Sequence, residues 1–221
     1  MHMNYNLPLL KNKIKQIDTF FFDLDGTLID TEKLYCHFWK IASKEFGREL
    51  SDIEALHLRS LEHNSGVAFF KSINMDYDKV RDRRIELMKE YFLTHDIEIK
   101  DGAIELLEKL KKENKKIYIV TANTVDKAKD ILIKTKLDKY VDDIISAKNV
   151  NRGKPYPDVY IYAYQKLNKK PSEVMVFEDS PNGLKASHLA EIFTVMVEDM
   201  TTFTSDMDYV DASISDLKQI L

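Results

Sequence analysis

FFFDLDGTLID, residues 20–30, is the stretch that decides how this sequence is interpreted. An apolar run ends in Asp23 and Asp25, which a glycine and a threonine follow. Because side chains alternate along an extended chain, both carboxylates can point one way while Leu24 points into a core. Adjacent carboxylates repel each other, and a divalent cation such as Mg²⁺ relieves that repulsion. One carboxylate could then attack phosphorus while the other moves protons, although the same residue types also form simple turns.

The composition is that of an ordinary globular protein. The chain has 221 residues, of which 44% are hydrophobic and 32% charged, and its formal net charge is −4. Basic residues are spread out, which gives no support for nucleic-acid binding. We expect no membrane partner and a cytoplasmic location, because no apolar run is long enough to span a bilayer and residues 1–18 lack a signal-peptide segment. A monomer is the default expectation. Cys36, the single cysteine, lies in a helical pattern and is expected to pack rather than react.

Strands and helices alternate over most of the chain. Residues 18–22 form a continuous apolar run, which predicts a strand buried on both faces of a parallel sheet. Further strands are predicted at 117–120, 144–145, 174–177 and 192–197, each separated from the next by a helix. A last helix is predicted at 213–221. This order predicts an α/β fold built on a doubly wound parallel sheet.

Residues 31–96 interrupt this alternation, because their patterns are helical throughout. Ser51 and Glu54 have the spacing of a capping box, which predicts the start of one of these helices. We therefore predict a core domain made of residues 1–30 and 97–221, with an α-helical domain of residues 31–96 inserted after the first strand.

Polar residues follow four of the predicted strands. The first strand leads to the two aspartates, and the later ones lead to Thr121-Ala122-Asn123, Gly153-Lys154-Pro155 and Glu178-Asp179-Ser180. Taken singly, the second and fourth segments could be helix caps and the third an exposed turn. Ligands of open parallel sheets bind beyond the carboxyl ends of the strands, so the joint occurrence favours one shared site.

These residue types meet the needs of phosphoryl transfer. Mg²⁺ prefers oxygen ligands in octahedral geometry and keeps some waters, and the four acids at positions 23, 25, 178 and 179 could supply such oxygens. The oxygens of a transferred phosphoryl group need a hydroxyl, backbone N–H groups and an ammonium around them. Thr121, the amides of Ala122 and Asn123, and Lys154 are the candidates for these contacts.

In this order the motifs resemble those of the haloacid dehalogenase (HAD) superfamily. The resemblance covers nearly the whole chain from residue 18 onward, and the helical insertion resembles the subfamily with an α-helical cap. The pair Glu178-Asp179, with Ser180 and Gly183 after it, is similar to the branch that holds β-phosphoglucomutase and sugar-phosphate phosphatases.

The resemblance implies a role for each motif. Asp23 would be the nucleophile that forms an aspartyl-phosphate, and Asp25 would protonate the leaving oxygen and then activate water. The backbone carbonyl of Asp25, with the carboxylates of Asp23 and Asp179, would bind Mg²⁺, while Glu178 would support the site or bind the metal as well. Thr121 and Lys154 would hold the phosphoryl group, and the cap would exclude water from the reaction.

Within the superfamily, Asp25 favours hydrolysis of a phosphate ester over carbon–halogen or carbon–phosphorus cleavage. We predict a phosphatase acting on a small phosphorylated metabolite, with a phosphomutase as the alternative. A mutase of this branch carries a cap arginine and a histidine after the first motif, where a rough alignment places His63 and Tyr35. Arg59 and His37 lie nearby and keep the alternative open.

Substrate choice is expected to depend on the helical domain. Arg59, His63 and Lys71 are candidate substrate contacts there, although each is also typical of an exposed helix face. Four tyrosines at positions 156, 160, 162 and 164 have helical spacing and are expected to pack. A non-catalytic binding module is a third possibility, which the complete set of acids and Lys154 disfavours.

Overall fold

The structure is a computed structural model that describes residues 7–58, 61, 63–202, 204 and 207–221. Its contacts divide the chain into two compact units. One consists of Met1–Ile29 and Glu98–Leu221, and the other consists of Asp30–Ile97. Among the described residues, no helix combines the length and the apolar character needed to cross a bilayer.

The first unit is built on a six-stranded parallel sheet. Its strands are β1 (Thr19–Phe22), β2 (Lys116–Thr121), β3 (Asp143–Ser146), β4 (Val174–Glu178), β5 (Phe193–Val197) and β6 (Ala212–Ile214), in the order β3-β2-β1-β4-β5-β6. Each neighbouring pair is parallel. The chain runs outward from β1 in one direction and later crosses to the other side, so β1 borders the topological switch point where such sheets bind ligands.

Where the structure describes this unit, one helix precedes β1, and four others lie between successive strands from β1 to β5. They are α1 (Leu7–Gln16), α6 (Ala103–Lys112), α7 (Val125–Thr135), α8 (Asp158–Lys166) and α9 (Pro181–Leu189). Phe20, Phe21 and Phe22 are fully buried, as expected for a strand covered on both faces. The Phe22 ring stacks on Phe177 of β4 with centroids 4.7 Å apart. This packing confirms the predicted α/β fold class and fixes the strand from which the acidic loop emerges.

The second unit is helical in its described residues. It contains α2 (Glu32–Glu45), α3 (Asp52–Leu58), α4 (His63–Ser72) and α5 (Tyr77–Tyr91). The predicted capping box is present, because Ser51 N donates to Glu54 Oε2 and Glu54 N donates to Ser51 Oγ. Trp39 and Phe70 are buried in its apolar cluster, with ring centroids 5.5 Å apart, and Cys36 is buried in the same cluster.

The helix predicted at residues 213–221 is wrong. Ala212–Ile214 is the edge strand β6, which pairs with β5, and only the short 3-10 turn Leu217–Ile220 follows it. The Asp216 side chain accepts a hydrogen bond from Lys218 N at 2.9 Å. Such a local bond competes with the helical backbone pattern, and the open edge of β5 gives this short segment a better partner.

Candidate active site

The loop after β1 is a tight turn that the backbone itself closes. Gly26 N donates to Ile29 O at 2.8 Å, and Leu28 N donates to Leu24 O at 3.0 Å. Asp23 is anchored to the neighbouring strand, because its N–H donates to Phe177 O at 3.0 Å. The Asp23 side chain is buried, at 12% exposed. The loop therefore holds its first acid in a nearly dry position at the switch point of the sheet.

Lys154 reaches this acid from the loop after β3. Its Nζ lies 2.5 Å from Asp23 Oδ1, 2.5 Å from Glu178 Oε1 and 3.0 Å from Val120 O. An ammonium has three N–H donors, so each of them has an acceptor in this arrangement. The Lys154 side chain is only 8% exposed. The alternative of an exposed turn at residues 153–155 is therefore wrong for this side chain.

Glu178 is surrounded by hydrogen-bond donors. Its Oε2 accepts bonds from Asp179 N, Ser180 N and Ser180 Oγ, each at 3.0 Å. Its Oε1 accepts bonds from Lys154 Nζ and from Tyr160 OH, the latter at 3.2 Å. Ser180 also caps α9, because Gly183 N donates to its hydroxyl. The capping interpretation of this segment is therefore correct for Ser180. Glu178 instead forms a buried charged cluster with Asp23 and Lys154.

Asp179 lies against the loop that follows β1. Thr27 Oγ1 donates to Asp179 Oδ1 at 3.0 Å. A Cβ added to Gly26, whose φ is +84°, would overlap the Asp179 carboxylate. Gly26 thus supplies both a backbone angle that other residues rarely adopt and the space that lets the Asp179 carboxylate lie against the loop after β1.

The segment after β2 contacts the second acid of the loop. Asn123 Nδ2 donates to Asp25 Oδ2 at 2.6 Å, and Asn123 N donates to Thr121 Oγ1 at 3.1 Å. Thr124, rather than Thr121 or Asn123, caps α7. Ala122 is exposed between them, and Ser146 Oγ at the end of β3 donates to Asn123 O. The alternative that Thr121 or Asn123 caps α7 is therefore wrong, because Asn123 donates to Asp25 and to Thr121 instead.

Burial dominates the electrostatics of this cluster. It raises the pKa of Asp23 from its ordinary 3.8 to about 7, a rise that Lys154 opposes and the Glu178 carboxylate increases. Burial alone would lower the pKa of Lys154, but Asp23 and Glu178 outweigh it, and the pKa lies well above its usual value. Burial also raises the pKa of Tyr160 well above its usual range. The lysine therefore stays charged, and an additional cation beside Asp23 would favour its ionised form.

The same part of the chain matches a known family. Residues 20–197 match a family model described as haloacid dehalogenase-like hydrolase. The chain belongs to this family. The predicted resemblance is therefore confirmed, and the acidic loop, Thr121, Lys154 and the Glu178-Asp179 pair all lie inside the matched region.

Relatives of this HAD-like hydrolase include phosphatases. Validoxylamine A 7'-phosphate phosphatase of Streptomyces hygroscopicus subsp. limoneus is 33% identical over 187 residues, which cover 79% of this chain and 82% of the relative. Glycerol-1-phosphate phosphohydrolase 1 of Saccharomyces cerevisiae is 31% identical over 222 residues, covering 92% and 82%. The crystal structure of a provisionally assigned β-phosphoglucomutase from Thermotoga maritima is similar with a TM-score of 0.70 and 26% identity, covering 92% and 97%. These similarities support the predicted phosphatase class.

The acids of this HAD-like hydrolase fit a magnesium ion with few protein ligands. In the described ranges, no group of three or more His, Cys, Asp or Glu side chains is arranged to hold a metal. Mg²⁺ does not require such a group, because it commonly keeps several waters and takes one or two carboxylates. Asp23, Asp179 and the backbone carbonyl of Asp25 offer the oxygen donors that such a ligand set needs. Glu178 fits it less well, since five donors already surround its carboxylate.

Of the predicted substrate contacts in the helical unit, His63 has side-chain neighbours from the same unit. His63 begins α4, and its Nδ1 lies 3.3 Å from Arg81 Nη1 while its ring makes an edge contact with Tyr77. Lys71 is exposed near the end of the same helix. Arg59 lies outside the described residues. Tyr35 packs beneath the Arg84 guanidinium, whose Cζ lies 4.8 Å from the ring centroid. The roles of these residues in substrate binding stay predictions.

Three polar residues of the cluster were missed by the sequence reasoning. Thr27 and Ser146 are at strand or loop ends in the expected region, so their hydroxyls could have been added to the set by position alone. Tyr160 was assigned to packing with the other tyrosines. Its one distinguishing signal is its place six residues after Lys154, at the buried start of a helix that returns to the sheet.

Proposed function

We propose that this HAD-like hydrolase is a Mg²⁺-dependent phosphomonoesterase that acts on a small phosphorylated metabolite, most simply a sugar or polyol phosphate. The observation that carries the proposal is the ion pair between the buried Asp23 and Lys154. Asp25 follows Asp23 by two residues, and its carboxylate accepts a hydrogen bond from Asn123. A nucleophile needs to be dry and oriented, and a proton-transfer group needs to lie close to it.

In the proposed reaction, an oxygen of Asp23 attacks phosphorus and the bond between phosphorus and the ester oxygen breaks. Asp25 gives its proton to the departing alkoxide, which leaves as an alcohol. A water molecule then attacks phosphorus, Asp25 takes its proton, and the aspartyl-phosphate is cleaved to inorganic phosphate and free Asp23. Asn123 Nδ2 donates to Asp25 Oδ2 and so restricts the orientation of the carboxyl group that is proposed to transfer this proton.

Several groups are available to hold the phosphoryl group. Thr121, the amides of Ala122 and Asn123, and Lys154 are proposed to contact its oxygens. Each donor of Lys154 already has an acceptor, so this contact requires an exchange. When Asp23 becomes part of the mixed anhydride it loses its negative charge, and its bond to Lys154 Nζ weakens in favour of a phosphoryl oxygen.

Asp23, Asp179 and the carbonyl of Asp25 would hold the metal in this proposal, with Glu178 as the supporting acid. Bound Mg²⁺ would supply positive charge that offsets the repulsion between the acids and the phosphate. The names of two relatives, a validoxylamine A 7'-phosphate phosphatase and a glycerol-1-phosphate phosphohydrolase, support a small phosphorylated substrate. The monomeric state, the cytoplasmic location and the contacts at Arg59 and His63 stay predictions.

Dependence on the metal gives the direct test of this proposal. With p-nitrophenyl phosphate as substrate, EDTA is expected to lower the initial rate at least about tenfold, because Asp23 and Asp179 then lack their shared counter-charge. Adding Mg²⁺ in excess is expected to restore the rate. EDTA already saturated with Mg²⁺ is the control. A rate that EDTA leaves unchanged would count against the metal and against this mechanism.

A phosphomutase is the second candidate, and one observation favours it. The similar Thermotoga structure is assigned, provisionally, as a β-phosphoglucomutase, and both activities use the same core chemistry. A mutase returns the phosphoryl group from Asp23 to a second hydroxyl of a bisphosphate before water reaches it. A rough alignment places His63 and Tyr35 where a mutase of this branch carries an arginine and a histidine, so we prefer the hydrolase.

One assay separates these two activities. The protein is incubated with β-glucose 1-phosphate, Mg²⁺ and a catalytic amount of the 1,6-bisphosphate. We expect release of inorganic phosphate, measured colorimetrically, without formation of glucose 6-phosphate, measured with a coupled dehydrogenase. Formation of the 6-phosphate faster than free phosphate would establish the mutase instead. Neither product, together with inactivity on aryl phosphates, would favour a non-catalytic module.

A further inference from the structure

Tyr160 is a buried polar residue of the cluster to which the proposed reaction gives no role. It lies in α8 with none of its surface exposed. Its ring stacks on Phe21 of β1, with centroids 6.5 Å apart and an angle of 20° between the planes. Its hydroxyl lies 3.2 Å from Glu178 Oε1. The side chain therefore spans from the apolar core of the sheet to the charged cluster at its edge.

The ring also lies beside the lysine. Lys154 Nζ is 5.2 Å from the centroid of the Tyr160 ring, within the range of a cation–π contact. The ammonium is thus enclosed by three oxygen acceptors and one aromatic face. Because the ring is held by the core, it limits where the flexible lysine side chain can place its charge.

The hydroxyl acts on the same ammonium through Glu178. Tyr160 OH is the donor in the hydrogen bond to Glu178 Oε1. Lys154 Nζ donates to that same oxygen. A second donor on Oε1 offsets part of its negative charge and weakens its hold on the lysine, which leaves more of the ammonium's attraction for Asp23.

We propose that Tyr160 is a positioning residue that divides the Lys154 ammonium between Glu178 and the reactive Asp23. The ring restricts the ammonium from one side, and the hydroxyl keeps Glu178 from drawing it away. This inference rests on the proposed function, since it assigns Tyr160 a part in turnover by the same site. It predicts that the hydroxyl matters for the chemical step and little for substrate capture.

Tyr160→Phe tests the hydroxyl and keeps the ring. We expect kcat for p-nitrophenyl phosphate with saturating Mg²⁺ to fall about tenfold while KM stays within about twofold, since losing one hydrogen bond to a charged group has this size of effect. Tyr164→Phe is the matched control, because it removes the same hydroxyl one turn along α8 from a partly buried ring of the same core cluster. The control is expected to retain the wild-type kcat.

Thermal unfolding of the variants separates positioning from stability. A structural role alone would lower the unfolding temperature of Tyr160→Phe and leave kcat per folded molecule unchanged, and that result would overturn the inference. An equal loss of kcat in Tyr164→Phe would overturn it too, as would a change confined to KM. If the wild-type protein hydrolyses no phosphomonoester, the proposed function fails and this inference fails with it; an active wild type with an unaffected Tyr160→Phe variant removes only the inference.

Discussion

Replacing Asp23 with asparagine is expected to lower turnover of a phosphomonoester by about four orders of magnitude or more, which is typical for the loss of a covalent nucleophile. The amide is nearly the same size and is a poor nucleophile, so it cannot form the proposed acyl phosphate. The measurement is initial-rate hydrolysis of p-nitrophenyl phosphate under saturating Mg²⁺. Turnover within about a hundredfold of the wild type would remove Asp23 from the assigned role.

Unfolding experiments show whether the Asp23→Asn variant is inactive because it lacks the nucleophile or because it is less stable. The pKa of Asp23 is raised by burial from 3.8 to about 7, so the folded protein binds this proton more tightly than the unfolded chain does. The wild type therefore loses stability as the pH rises from 3.8 to about 7, and asparagine removes that loss. In EDTA, urea unfolding is expected to show a variant at least as stable as the wild type at pH 8. Asp18→Asn, at an exposed acid, is the control.

Lys154→Met is expected to damage both stability and turnover. The lysine neutralises Asp23 and Glu178, whose side chains are 12% and 0% exposed. Removing one partner of a buried ion pair leaves uncompensated charge, and the free energy of unfolding is expected to fall by about 3–5 kcal/mol. Turnover is expected to fall by about two to three orders of magnitude, because a charged donor near the phosphoryl oxygens is lost. Urea unfolding in EDTA and initial rates measure the two effects.

Two further variants make the Lys154 prediction specific. Lys166→Met breaks the exposed pair with Asp143 and is expected to change stability by less than about 1 kcal/mol. Combining Lys154→Met with Asp23→Asn is expected to recover part of the lost stability, since one of the two stranded carboxylates is then neutral. A Lys154→Met protein as stable as the wild type, or a double variant less stable than either single one, would contradict the buried-pair interpretation.

Much of the candidate site in the sheet unit was predictable because its polar residues stand directly at the ends of apolar segments. Asp23, Thr121 and Glu178 each end a buried apolar strand, and parallel strands bring their carboxyl ends to one edge. The contact between Lys154 and Asp23 was not predictable in this way. It joins residues 131 positions apart through a loop whose path depends on tertiary packing, and turn-forming residues around Lys154 fit an exposed loop equally well.

The failures in the prediction have related physical causes. A tyrosine that packs and a tyrosine that also bonds to an acid have the same helical spacing, so Tyr160 could not be separated from Tyr164. The strand β6 is only three residues long, and its pairing with β5 depends on a partner that local periodicity does not describe. The helical unit carries no motif that predicts which of its residues would contact a substrate, and His63 contacts Arg81 and Tyr77 of the same unit.

Gly26 and Gly183 limit the size of the side chains that can lie beside Glu178 and Asp179, whatever their charge. A Cβ at Gly26 would overlap the carboxylate of Asp179, and a Cβ at Gly183 would overlap that of Glu178. These positions are far apart in the chain, yet the missing side chains of both glycines leave the space that the Glu178 and Asp179 carboxylates occupy. Engineering this enzyme for a new substrate therefore has an additional constraint. Replacing either glycine with alanine keeps every charge of the site, yet the added methyl group would displace the Asp179 or the Glu178 carboxylate.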